Sequence, residues 1–159
     1  DAKTIPWPEC GEFDIFEPII QTEANLYGTG QYYHYGTGSS GLGGVNLTEL
    51  LGARYRVYGI EWTPTSITGF IDGVKGNTIN ITTNAHKNSA HTPHFIIMNN
   101  SFISGGGYTA DNPLYPFPAD MEIDYIKVWS IDGVGGLIPQ HLPGSFGWDA
   151  VKNSLIKFD

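Results

Sequence analysis

The sequence predicts an all-β fold, a sandwich or barrel, on three observations. Short runs that alternate apolar and polar residues recur along the chain, each closed by turn residues. Helical periodicity is nearly absent through residue 130. With 21 glycines and 10 prolines in 159 residues, punctuation is dense but follows no Gly-X-Y period, so tight turns rather than a collagen helix explain it. A chain of this length has room for one domain.

The elements follow in order. Residues 12–16 alternate acidic and apolar side chains, and Pro18 stops the run. Residues 31–35 form an aromatic strand, which the glycine-rich stretch 36–44 is expected to close. A short turn is expected over 47–51. Residues 54–62 (RYRVYGIEW) alternate well, Thr63-Pro64-Thr65-Ser66 turns the chain, and 67–71 is the next strand. Asp72-Gly73 is a strong hairpin signal. A further short strand is expected at 79–83, a strand buried on both faces at 95–98, and a cleanly alternating one at 121–130 (MEIDYIKVWS). After Ser130, Gly135-Gly136, Pro139 and Pro143 mark a tail, with a short amphipathic stretch at 148–158.

Composition excludes several classes. Charged residues are 15% of the chain and aromatics 13%, the reverse of a disordered tail. No apolar run approaches the ~20 residues of a membrane-spanning helix. A net charge of −8 without any basic run argues against nucleic acid. An acidic surface rich in Tyr, Trp and Phe suits a neutral, hydroxylated ligand. The single cysteine, Cys10, allows neither an internal disulfide nor a cysteine zinc site. Sequons at Asn46, Asn80 and Asn99 give weak support for a secreted protein.

The informative segment is WPECGEFDIFE, residues 7–17. On an ideal strand Glu12 and Asp14 share one face and Glu17 points to the other. One β-bulge near Ile15 or Phe16 would return Glu17 to the face of Glu12. The two glutamates would then lie four strand rises apart, roughly 13 Å between Cα atoms, and leaning side chains bring the carboxyls to about 5 Å. That is the separation of a retaining glycosidase pair. Asp14 between them adds like-charge repulsion, which keeps a proton in the cluster for a general acid. Alone, the acids are better explained by the solvated face of a strand; the rest of the chain tips the balance.

The same residues resemble the catalytic signature of glycoside hydrolase family 16 in its laminarinase-like form, Glu-x-Asp-x-x-Glu. In the family's order, YHYG (33–36), VYGIEWTPTSITGFIDG (57–73), FIIMNNSFISGG (95–106) and PFPADMEIDYIKVW (116–129) are similar to further family segments. The resemblance implies a concanavalin A-like β-jelly-roll sandwich with a concave glycan cleft, incomplete in this chain. Residues 1–130 would be the C-terminal portion of the catalytic domain and 131–159 a tail. It matches Glu12 to the nucleophile, Asp14 to the assisting acid and Glu17 to the acid/base. It implies a secreted endo-β-1,3-glucanase, the alternatives being a silent β-glucan recognition module, a transglycosylase, or a hydrolase of agarose, carrageenan or mixed-linkage glucan. Two departures stand out. Gly69 occupies a position where the family often has Trp, and residues 100–104 (NSFIS) replace the usual Leu-Ala-Val.

Around the acids, Trp7 is expected either to stack on a pyranose ring or to pack at the strand entry. His34 is expected either to hydrogen-bond sugar hydroxyls or the acid/base, or to be a satisfied structural histidine. Asn99 leans to the cleft, and Trp62, alternating with Tyr58 and Ile60, to the core. His86, His91 and His94 fit no zinc spacing and read as solvated loop residues. No cofactor is needed for the chemistry; the resemblance implies a structural calcium at Asp124, with most of its six to eight oxygens from elsewhere. The expected partners are a polysaccharide and a second polypeptide supplying the missing strands, bridged through Cys10 or leaving it a buried free thiol.

Overall fold

A computed structural model describes residues 5–18, 28–36, 38–46, 49–99 and 120–135. The chain divides into two units, Asp1–Asp120 and Met121–Asp159. Among its described residues the first is all-β apart from short helical turns, a partial β-sandwich of two antiparallel three-stranded sheets. Strands β1 (Glu12–Glu17), β2 (Gly28–Tyr35) and β3 (Gly38–Asn46) form one sheet, in that order. Strands β4 (Tyr58–Trp62), β5 (Ser66–Ile71) and β6 (Val74–Asn80) form the other. The Asp72-Gly73 hairpin forms with both residues at positive φ, 50° and 77°, as a two-residue turn matched to strand twist requires. No helix among the described residues is long and apolar enough to cross a membrane.

Strand alternation sorts the side chains. Phe13, Gln31, Tyr33 and Tyr35 turn inward toward Leu42, Ile60, Ile67, Ile79, Ile81 and Ala90, the core of this unit. The buried phenol of Tyr33 is not left unpaired: it bonds Ser89 Oγ and donates to the His86 carbonyl. Glycines let the sheets approach closely. A methyl at Gly69 would lie 2.5 Å from Gln31 Oε1 and 2.8 Å from the Leu42 carbonyl, and one at Gly76 would lie 2.5 Å from that same carbonyl.

Several expectations need correction. The glycine-rich stretch expected to close β2 is itself strand β3, because a strand pressed against glycines of another layer needs small residues. The loop of solvated histidines contains helix α1 (Asn84–Ala90), with the His86 ring 4.1 Å from that of Tyr35 and the His94 ring 4.6 Å from that of Phe13. The short strand expected at 79–83 is the end of β6; of the turn expected at 47–51, residues 47 and 48 lie outside the described residues, and a 3₁₀ turn stands at Leu51–Ala53. Residues 95–98 are not a doubly buried strand. They carry no strand, and Phe95 and Ile97 are 70% and 64% exposed, because no neighbour among the described residues pairs with them or covers them.

The second unit is described over residues 121–135. Its alternating run 121–130 forms no strand among the described residues, and the bridge Ile131↔Val134 closes a turn. The amphipathic stretch at 148–158 lies outside the described residues.

Candidate active site

The β1–β2 register builds the site. Glu12 lies opposite His34 and Asp14 opposite Tyr32, as plain alternation requires. The register then shifts: Glu17, not Phe16, lies opposite Gly30. Ile15 and Phe16 together face Gln31, a β-bulge that sets Glu17 on the face of Glu12 and Asp14. The partners of the two glutamates, Gly30 and His34, are four residues apart, about 13 Å along the strand.

Around these acids the side chains interlock. Trp7 Nε1 donates a short hydrogen bond to Glu12 Oε2, while the indole is 62% exposed and 5.6 Å from the His34 ring. Trp7 therefore stands beside the acids with an open face and is not core. His34 Nε2 lies 2.8 Å from Asp14 Oδ2. Tyr32, whose ring lies over Gly30, flanks the Glu17 end of the row and is partly exposed. Sequence reasoning passed over Tyr32, although the alternation of YYHY puts it on the face of His34.

Burial, more than charge repulsion, sets the proton affinities. Desolvation raises the Glu17 pKa, the negative charge of Asp14 adds to this, and His34 opposes it. Asp14 is raised as well, by burial first and Glu12 second, with His34 again opposing. Between the ordinary and the raised value the folded chain binds more protons than the unfolded one, so these two groups make stability fall as pH rises through that window.

The other expected residues lie apart from this cluster. Asn99 is exposed in the unpaired segment after Pro93. Trp62, expected in the core, is instead 37% exposed: it packs one side of its ring 5.1 Å from that of Phe13, and no neighbour among the described residues buries the rest. Cys10 is a half-buried free thiol in the turn before β1, where its N–H donates to the Pro6 carbonyl. Asp124 is exposed in the second unit and joins no group of three metal-ligand side chains among the described residues. One carboxylate falls well short of the six to eight oxygens of a calcium shell. Glu12, Asp14 and His34 do offer ligand atoms within 4.8 Å of one another.

Fold and site together define a sandwich face carrying three carboxylates, one bulged into line with the other two, between aromatic side chains. No protein-family model matches the chain. It is 26% identical over 130 residues to the clotting factor G alpha subunit of Tachypleus tridentatus, covering 81% of this chain and 19% of that protein. It is 26% identical over 141 residues to a glucan endo-1,3-beta-glucosidase of Cryptopygus antarcticus, covering 78% and 51%. A beta-glucanase of Rhodothermus marinus is 28% identical over 133 residues, covering 77% and 46%. The chain thus spans about half the length of these curated relatives, or less.

Proposed function

We propose that this chain carries the acid pair of a retaining endo-β-1,3-glucan hydrolase. The observation that carries the reading is the β1 bulge, which aligns Glu17 with Glu12 and Asp14; the names of two relatives favour β-glucan as the substrate. Glu12, held by the Trp7 indole, attacks the anomeric carbon. The bond to the leaving oxygen breaks as Glu17 gives that oxygen its proton. Water then attacks the glycosyl ester, Glu17 takes the water's proton, and Glu12 leaves as carboxylate. Asp14, beside His34, adds its charge to the burial that raises the proton affinity of Glu17. The open face of Trp7 suits the apolar face of a pyranose.

The raised Glu17 pKa gives this scheme a pH signature. The first step needs the proton, so the rate falls as pH rises through the Glu17 pKa, on an alkaline limb above the range of an ordinary glutamate. Reducing-end release from laminarin, followed against pH, tests both the activity and the limb; release limited by an acid of ordinary pKa contradicts the assignment of Glu17.

A recognition module without turnover is the second reading, favoured by the relative named as a clotting-factor subunit rather than a hydrolase. Laminarin binding without reducing-end release would select it. The proposal also retains a covering polypeptide, favoured by the exposed apolar run 95–98.

A further inference from the structure

We propose that Gln31 is a positioning residue for the acid pair: its side-chain amide clamps the β1 bulge and so fixes the face that Glu17 presents. Gln31 is 1% exposed, a polar side chain on the inner face of β2 in line with Tyr33 and Tyr35. Its Nε2 donates to the Ile15 carbonyl at 2.8 Å, and to the carbonyls of Gly59 and Phe70 at 3.3 Å each. The nearest acceptor is therefore the bulge itself. A bulge leaves one residue outside the ladder, and a buried carbonyl without a partner is costly. Gln31 supplies the partner for Ile15 and ties it to β4 and β5.

The surroundings are built to the same purpose. Register shifts flank Gln31 on both sides: Ile15 and Phe16 face it from β1, and Leu42 is the extra residue where β3 passes from Gly43 to Gly41. A third shift, in the β5–β6 pair, lies at Gly69, the residue whose missing side chain makes room for the Gln31 amide. Strand register matters here more than elsewhere, because a slip of one residue exchanges the two faces. If the bulge closed, Glu17 would turn away and Phe16 would take its place beside Asp14. The role of Gln31 in turnover rests on the hydrolase reading; its role in holding the register does not.

Gln31→Met keeps the volume and removes the donors. In the folded variant kcat on laminarin should fall about 10²-fold, the scale of a misplaced catalytic group, with KM little changed. The alkaline limb should move to lower pH as Glu17 leaves its desolvated position. Independently of any reaction, ¹³C-carboxyl NMR should show the Glu17 titration moving down toward that of an ordinary glutamate. A folded variant with wild-type kcat and an unmoved Glu17 titration would overturn the proposal. If Gln31→Met does not fold, a through-hydrogen-bond NMR coupling between Gln31 Nε2 and the Ile15 carbonyl carbon in the unaltered chain decides: its presence supports the clamp and its absence removes it. If the unaltered chain does not cleave laminarin, the hydrolase reading fails, while the two NMR readouts still judge the clamp.

Discussion

Glu17→Gln and Glu12→Gln should each lower kcat on laminarin by about 10³-fold or more, within the range that a positioned acid/base contributes and equivalent to ~4 kcal/mol of barrier. The losses should differ in kind. A substrate with an acidic aryl leaving group needs no proton to depart, so Glu17→Gln should still form the glycosyl ester on such a substrate and then stall. Glu12→Gln has no nucleophile and should not recover. Asp14→Asn should cost less than either, because Asp14 acts through its neighbours' charge and not at the anomeric carbon. All three side chains sit on the face away from the core. The variants should therefore melt cooperatively near the temperature of the unaltered chain, and loss of activity through unfolding would show in the melt.

Gly69→Ala should destabilise the first unit by about 3 kcal/mol, the upper end for overpacking. Its methyl would lie 2.5 Å from Gln31 Oε1, 2.8 Å from the Leu42 carbonyl and 3.1 Å from Leu42 Cβ. Gln31 is held by three carbonyls and the Leu42 carbonyl belongs to a strand, so neither can withdraw cheaply. For a chain of this size the melting temperature should drop by roughly 6–12 °C. Gly59→Ala, in the neighbouring strand with open space around the new methyl, is the control and should stay within about 0.5 kcal/mol. Equal melting of the two variants would mean that the sheets do not approach at Gly69 as described. The same contact accounts for the departure noted at this position, since a Trp there would collide with both Gln31 and Leu42.

The acidic strand and its bulge were legible because two constraints meet in six residues: alternation fixes Glu12 and Asp14, and only an extra residue reconciles Glu17 with them. The β5–β6 hairpin was legible because Asp72-Gly73 supplies the positive φ angles that its turn requires. Strand β3 was not, because a run of glycines and serines reads as a loop until the layer pressed against it is known. Helix α1 was hidden for a related reason. Seven residues rich in Asn and Ser have little helical preference, and the element is held by tertiary contacts of Tyr33, Ser89 and Ala90 that no local pattern announces. The apolar runs at 95–98 and 121–130 announce burial, yet burial needs a neighbouring layer, and the described residues do not provide one. In the site, His34 was found through its motif. Tyr32 carries no motif and is signalled only by the alternation of YYHY, while the place of Gln31 behind the bulge follows from the register.

The central claim is that the bulge holds Glu12 and Glu17 close enough for double displacement, near 5 Å rather than the 6.5–9.5 Å of an inverting pair. The most direct test is ¹H NMR of the new reducing end in the first minutes of laminari-oligosaccharide cleavage. The account predicts that the β anomer appears first and the α anomer grows in by mutarotation. An α anomer as the first product would contradict it.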